Sequence, residues 1–365
     1  MNSITILYPY RNREVKRIRR SLNSLAQQSV KNFTVKFIDY GSDEKKAEAI
    51  RTLVAAYDFA SYEYLYTKDQ PWNKCKALNF AIKKVTSGYC FVADVDMIFH
   101  SRFTEILEQQ FDQSCATYFQ VGFLSEQETD KDVAFETYTV NFKSTEEATG
   151  MTLFPVAAIK EINGFDEFFH FWGAEDTDIH NRLKNAGYRV KYYDEKLLML
   201  HQWHPNYRKR ETRTLNPAEL QLSGIVEINK QHLLNNLSNN VTKVNEDGWG
   251  NSMSEETLDE LESFPVTTLF DEKTLIDYFL YQQLPNTKKN IVAVEVKRNP
   301  IQHTLKYKLK KALRKKVPEF YNLKEINDQF LLQIVTSYHT KPYIYRVKEK
   351  SILFKMKTGY NSNSD

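Results

Sequence analysis

Long apolar runs are missing from this 365-residue chain. The longest span a handful of residues, against the roughly 20 that a membrane-crossing helix needs, so an integral membrane protein is not expected. No basic-then-apolar leader precedes the strand-like run that begins at Ile4, and export is not expected either. Cysteine is scarce. Cys75, Cys90 and Cys115 are an odd number at no metal-like spacing, which argues against a disulfide framework and fits a reducing, cytoplasmic setting. Charge of one sign is not in excess: 50 Lys and Arg against 47 Asp and Glu leave +3, so no global field points to nucleic acid. Aromatics, by contrast, are plentiful at 13%, chiefly 22 Tyr and 23 Phe. They suit sugar-stacking surfaces, although core packing is the plainer use for most of them.

A chain of this length accommodates one main domain and an appendage. Apolar runs at Ile4–Tyr8, Phe33–Ile38, Tyr62–Tyr66 and Tyr89–Ala93 alternate with helically spaced sets. These sets are Val15, Ile18, Leu22 and Leu25, then Ala47–Tyr57, then Ala77, Leu78, Ala81 and Ile82. The alternation predicts an α/β fold, a mostly parallel sheet flanked by helices. Ligands bind such sheets at the carboxyl ends of the strands. Three polar clusters fall there, Pro9–Arg13, Asp39–Ser42 and Asp94–Asp96, so one shared site is expected. Further on, a helix is predicted over Glu175–Ala186 with Gly187 as its C-cap, followed by a strand over Arg189–Tyr193. Asn, Ser and Gly dominate around Asn235–Ser254. The expected division is a catalytic domain over 1–235, a linker over 236–254, and a basic, mainly helical accessory region over 255–365.

Several constellations carry chemistry. Asp94-Val95-Asp96 follows the apolar run Cys90-Phe91-Val92-Ala93. Carboxylates at the end of a hydrophobic strand are costly unless compensated. Two of them can converge on one hard cation and leave positions for phosphate oxygens. A bare Asp-x-Asp also arises by chance; its place after the strand favours metal and nucleotide. Asp39, in Phe37-Ile38-Asp39-Tyr40-Gly41-Ser42, either initiates a turn or accepts the ring N–H of a uracil base. In Pro9-Tyr10-Arg11-Asn12-Arg13, arginine suits a base or a phosphate, the plain alternative being a solvated basic helix start. Trp172-Gly173-Ala174-Glu175-Asp176 sets an aromatic plate beside two acids. Helix dipoles favour acids in a first turn, yet a carboxylate there also suits a general base. His201-Gln202-Trp203-His204 offers imidazoles that can complete a metal site begun far away in sequence.

In this order the residues resemble the inverting glycosyltransferases of the GT-A fold, a family-2-like nucleotide half joined to a galactosyltransferase-type second half. The resemblance covers Ile4 to Pro205. It implies nucleotide-sugar contacts for Pro9, Tyr10, Arg11 and Arg13, with Asp39 on uracil. Trp72 and Lys74, in Trp72-Asn73-Lys74-Cys75-Lys76-Ala77-Leu78-Asn79, are implied to touch the nucleotide. Asp96 is the implied direct ligand of Mn2+ or Mg2+, Asp94 a further metal residue nearer the ribose and diphosphate, and Val95 a nucleotide-sugar contact. Trp172 and Gly173 are implied to hold sugars, Asp176 to act as base beside Glu175, and His201 to close the metal site, with His204 as the alternative. The implied reaction moves a hexose or N-acetylhexosamine from a UDP-sugar to a glycan or lipid-linked glycan, with inversion; bacterial surface polysaccharide synthesis is expected from the lack of a membrane span and the basic tail, not from a motif.

A retaining enzyme is the nearest alternative. A metal-dependent nucleotidyltransferase would need a glycine-rich phosphate loop after the first strand, and Pro9–Arg13 contains no glycine. A non-catalytic glycan-binding module would tolerate loss of a catalytic acid, whereas Asp94, Asp96, Glu175 and Asp176 are all present. Beyond the resemblance, the stretch 304–317 spaces Leu305, Leu309, Ala312, Leu313 and Val317 as a narrow apolar stripe on a basic helix. Either the stripe packs on the accessory region, or the helix contacts an anionic membrane peripherally at its inner face.

Overall fold

The computed structural model describes residues 3–86, 88–205, 215, 220–246 and 248–359. It divides into two compact units, one of Met1–Lys68, Trp72–Lys209 and Val226–Ser252, the other of Asp69–Pro71, Arg210–Ile225 and Met253–Asp365. Along the chain the strands are β1 (Ile4–Tyr10), β2 (Phe33–Asp39), β3 (Ala60–Tyr64), β4 (Tyr89–Val92), β5 (Met97–Phe99), β6 (Cys115–Phe119), β7 (Gly122–Leu124) and β8 (Val140–Lys143). They continue as β9 (Thr152–Pro155), β10 (Arg189–Tyr193), β11 (Met199–His201), β12 (Thr267–Phe270), β13 (Ile291–Lys297), β14 (Tyr343–Val347) and β15 (Ser351–Lys357).

The main sheet of the first unit has the order β10-β6-β9-β4-β1-β2-β3. Its pairs are parallel except those of β9, which runs antiparallel to both β4 and β6. Strand β1 is buried along its whole length, as a central strand covered on both faces must be. Ile4, Ile6, Tyr8 and Tyr10 face one layer, where the helix Val15–Ala26 brings Ile18, Leu22 and Leu25. Leu7 faces the other, where the helix Lys74–Lys84 brings Ala77, Leu78, Ala81 and Ile82. The third strand begins two residues before the predicted Tyr62, because its pairing with β2 from Val35↔Ala60 to Asp39↔Tyr64 sets its bounds. A smaller sheet, β5-β11-β7-β8, continues from the carboxyl end of β4.

Two expectations are corrected here. Of the stretch expected as a linker, 236–254, all but the last two residues belong to the first unit, which runs to Ser252. The helix Ile225–Ser238 runs into it, and buried Asn236 donates to Asp166 at 3.1 Å and to Asp178 at 2.9 Å. Farther along, the Gly250 amide donates to Glu167 at 2.7 Å. Asparagine reads as a loop former, but here its amide satisfies buried carboxylates, which outweighs that propensity. The accessory region is helix-rich as expected, and it also holds a four-stranded sheet, β12-β13-β15-β14, that the sequence reading omitted. Among the described residues no helix is long and apolar enough to cross a membrane.

The buried network around Arg182 ties these pieces together. Its guanidinium donates to Asp178 at 2.7 Å, to the Ile162 carbonyl at 3.1 Å and to the Gly164 carbonyl at 2.8 Å. Burial pushes Asp178 upward against the Arg182 charge, so the pair depends on that arginine. Arg182→Leu strands a buried carboxylate and is expected to cost about 3–5 kcal/mol. Asn236→Leu removes only a neutral donor and is expected to cost about 1–3 kcal/mol. Urea unfolding measures both, and equal losses would contradict the central place given to the ion pair.

Candidate active site

The carboxyl ends of β4 and β11 meet through strand register. His201, the last residue of β11, lies opposite Met97 in the antiparallel pair with β5, and this sets its ring beside Asp96. Gln202 locks the arrangement, donating its backbone amide to the Asp96 carbonyl at 3.3 Å and its side-chain amide to the same oxygen at 3.0 Å. Asp96 is nearly buried, with one carboxylate oxygen 3.6 Å from His201 Nε2 and the other 3.8 Å from His204 Nε2. Both imidazoles therefore converge on the carboxylate. The three ligand atoms all lie within 4.8 Å of one another. One carboxylate and two imidazoles so spaced fit a single divalent cation. Burial lowers the His204 pKa, which favours the neutral ring that a metal requires. Phe123 stacks on the His201 ring, with centroids 5.1 Å apart, and fixes its plane.

A second cluster surrounds Lys74. Asn73 caps the helix Lys74–Lys84, accepting from the Lys76 amide at 2.8 Å, so Lys74 occupies the first helical position. Its ammonium lies 3.6 Å from Asp94, 3.7 Å from Glu175 and 3.7 Å from Asp176. Burial alone would lower the Lys74 pKa; Asp176, Asp94 and Glu175 outweigh it and hold the lysine well above its ordinary value. Asp94 is held below its usual range because Lys74, ahead of His201, Arg13 and His204, overcomes the upward push of burial. Asp176 moves the other way. Burial, with Glu175 and Asp94 nearby, raises it to about 7 in spite of Lys74.

The loop before these acids is wound left-handed, with φ 63° at Phe171, 99° at Gly173 and 77° at Ala174. It is clamped from two sides. The Phe171 amide donates to the Trp72 carbonyl at 2.8 Å, and the Asn73 side chain donates to the Glu167 carbonyl at 2.7 Å. From the helix Ile225–Ser238, fully buried Asn229 donates to the carbonyls of His170 at 3.0 Å and Trp172 at 3.1 Å. Trp172 itself is 38% exposed, and open space surrounds Gly173. Sequence reasoning missed Asn229, which no motif marks.

Other expected residues fall differently. Tyr10 is buried in the core, its hydroxyl donating to the Arg13 carbonyl at 3.1 Å, so its ring supports the loop and is not free to meet a base. Pro9 is buried in β1 beside it. Val95 also packs in the core, which leaves only its backbone for a ligand. Asp39 is 0% exposed. Tyr62 donates to one of its oxygens at 2.7 Å and the Ser42 amide to the other at 2.7 Å. Burial raises its pKa against those bonds and Arg11. In this state Asp39 organises the turn and offers no surface to uracil. Gly41 completes that turn at φ 74°, where an added Cβ would strike the Lys68 amide nitrogen at 2.2 Å. The half-buried groups nearby are Arg11, whose guanidinium lies 5.9 Å from the Tyr40 ring centre, and Trp72, edge-on to Tyr40 at 5.6 Å. Arg13 is exposed and close enough to act on Asp94 and His204.

Comparison with known proteins follows this geometry. Residues 5–159 match the family model for glycosyl transferase family 2, and residues 130–205 match the one described as the N-terminal domain of galactosyltransferase. Human beta-1,4-galactosyltransferase 5 is 28% identical over 135 residues, 36% of this chain and 31% of that protein, and its mouse counterpart matches equally. The chain thus spans about a third of the length of these curated relatives. Among solved structures, S. aureus TarS is 15% identical with a TM-score of 0.46, over 77% of this chain and 45% of that one. GalNAc-T7, solved with UDP, GalNAc and Mn2+, is 13% identical with a TM-score of 0.45, over 64% of this chain and 48% of that one. With family matches running from residue 5 to 205 over a mostly parallel, helix-flanked sheet, this part of the chain is a glycosyltransferase domain of the GT-A fold, family-2-like first and galactosyltransferase-type after.

Proposed function

We propose that the chain transfers a hexose or N-acetylhexosamine from a UDP-sugar to a glycan hydroxyl, with inversion, in the synthesis of a bacterial surface polysaccharide. One observation carries the reading: a fixed cation, Lys74, and an acid raised to about 7, Asp176, share a cluster that adjoins the Asp96–His201–His204 set. The names of the relatives add a galactosyltransferase and a UDP- and Mn2+-binding protein. A divalent cation on those three residues would supply positive charge beside the departing diphosphate. Two imidazoles favour Mn2+ over Mg2+ there, because nitrogen ligands suit the softer ion. Lys74 keeps its proton across the working range and gives the same leaving group a second positive charge. Asp176, as the carboxylate, takes the proton of the acceptor hydroxyl. That oxygen bonds to the anomeric carbon as the bond to the diphosphate breaks, and UDP leaves with the electron pair. Trp172, partly exposed beside the open space at Gly173, suits the face of a sugar ring. Arg11 and Trp72, both packed on Tyr40, suit the base.

The direct test is transfer and hydrolysis across a panel of UDP-sugars with Mn2+, Mg2+ or chelator, with the product anomer assigned by NMR. A retained anomer would overturn inversion. Asp96→Ala is expected to abolish Mn2+-dependent UDP binding with the fold intact. His201→Ala and His204→Ala should each weaken it by about tenfold or more. Calorimetry showing one histidine without effect would remove it from the set.

The pH dependence has a definite sign. An acid raised to about 7 must lose its proton before it can act as base, so kcat/KM is expected to climb as pH rises through about 7. Lys74 pulls the Asp176 pKa down, so Lys74→Met should move that limb to higher pH. Asp176→Asn should cost roughly 10²-fold or more in transfer. If Asp176→Asn works at nearly the original rate while Glu175→Gln does not, the base is Glu175.

Asn229→Leu frees the Trp172 loop from the helix behind it. Transfer is expected to fall by up to about 10²-fold through misplacement, with UDP affinity nearly unchanged. A loss confined to thermal stability would reduce Asn229 to a packing role.

A further inference from the structure

Between Lys297 and Val317 nine side chains are Lys or Arg and none is acidic. The whole chain carries only +3, so the remainder is net negative and the positive charge is concentrated in this stretch. Its helix, Leu305–Ala312, is capped by Thr304, whose hydroxyl accepts from the Tyr307 amide at 3.2 Å. It closes at Arg314 with φ 53°, a left-handed position that glycine ordinarily fills, so a basic residue stands where backbone freedom alone would choose otherwise.

Successive residues turn by about 100° around the helix. Leu305, Leu309, Ala312 and Leu313 therefore share one arc, with Lys306 and Lys308 at its two margins, and Tyr307 lies on the opposite side. That opposite side fastens the helix. The Tyr307 hydroxyl donates to the Pro318 carbonyl at 3.1 Å, and its ring meets Phe320 edge-on at 5.7 Å. The leucine side faces solvent: Leu305 is 85% exposed, Leu309 63% and Leu313 58%. A stripe packed on the accessory region, one of the two readings of the sequence, is not what forms.

We infer that this helix is a docking surface for an anionic lipid leaflet. Lysines alone would serve a soluble polyanion, which gives no reason for three leucines held out in water between them. A leaflet supplies both partners, an anionic headgroup layer and an apolar layer a few ångströms beneath it. The marginal lysines can lay their stems along the apolar layer and keep their ammonium groups among the headgroups. The arc contains neither Trp nor Phe, so insertion is shallow and attraction mainly electrostatic. Salt should release it. Should the glycosyltransferase reading hold, a leaflet is also where a lipid-linked acceptor is met; that link rests on the reading, whereas the docking does not.

The test is co-sedimentation of the full chain with vesicles of phosphatidylcholine alone and of equal parts phosphatidylcholine and phosphatidylglycerol, at low and high salt. Binding is expected only to the anionic vesicles and only at low salt. Replacing Lys306, Lys308, Lys310 and Lys311 by Gln should weaken it at least about tenfold. Replacing Leu305, Leu309 and Leu313 by Gln should weaken it about fivefold or more. All seven of these side chains are exposed and none packs around Tyr307, so both variants should keep the parent melting temperature and UDP affinity. This separates a docking defect from a failed active site. Equal binding to both vesicles, or none, overturns the inference. An undiminished leucine variant that dextran sulfate displaces would assign the surface to a soluble polyanion instead.

Discussion

One ammonium group sets the electrostatics of the candidate site. Lys74 reaches Asp94 from the end of β4 and Glu175 and Asp176 from the start of the helix Glu175–Asn185, all at 3.6–3.7 Å. Coulomb attraction at such distances is worth about 4 kcal/mol per pair near a protein surface, before desolvation is subtracted. A single lysine cannot balance three carboxylates. The surplus is relieved at Asp176, where burial first, then Glu175 and Asp94, keep a proton on the carboxyl up to about 7. Lysine high, Asp94 low and Asp176 high thus follow from burial together with the charges these four groups exert on one another.

The neighbouring triad works by a different constraint. Asp96, His201 and His204 are aimed by backbone pairing, since the register Met97↔His201 and the bonds from Gln202 to the Asp96 carbonyl define where the side chains start. Only Val95 separates Asp94 from Asp96, and burying that valine in the core turns the two carboxylates to different duties, one toward Lys74 and one toward the histidines.

Much of the candidate site's layout was legible in the sequence because Asp94, Asp96 and His201 stand at or just after the ends of apolar strands, where charge is costly unless compensated. Asp94, Asp96, Glu175, Asp176 and the His201–His204 loop all fall in the two clusters. Tyr10 was misjudged although the signal was there: it shares the period-2 face of Ile4, Ile6 and Tyr8, which is a core face. Asp39 could not be judged locally, because the hydroxyl that occupies it comes from Tyr62 on another strand. The alternation in Ile291–Lys297 and Ser351–Lys357 marks strands, but the surrounding Lys- and Tyr-rich texture hid it. Asparagine-rich composition around 236–254 misled because some of those amides bond the first unit, Asn236 on Asp166 and Asp178 and Asn245 on the carbonyls of Asn163 and Phe165.

The loop from Phe171 to Ala174 shows where the folding unit ends. Non-glycine residues in the left-handed region cost of order 1–3 kcal/mol each, and Phe171 and Ala174 are two of them within four positions. Such a conformation persists only where its surroundings over-determine it. Part of the restraint comes from within residues 5–205, through the Trp72 carbonyl and Asn73. The rest comes from Asn229, on a helix that lies beyond the family matches and that is itself fixed by Asn236 on Asp166 and Asp178. A fragment ending near Pro205 would keep every named site residue yet lose the amide that holds Trp172 and the carboxylate partner that orders the helix after it. The smallest unit able to present Glu175 and Asp176 correctly is therefore longer than the matched domain, and it runs through the segment that composition alone had marked as a linker.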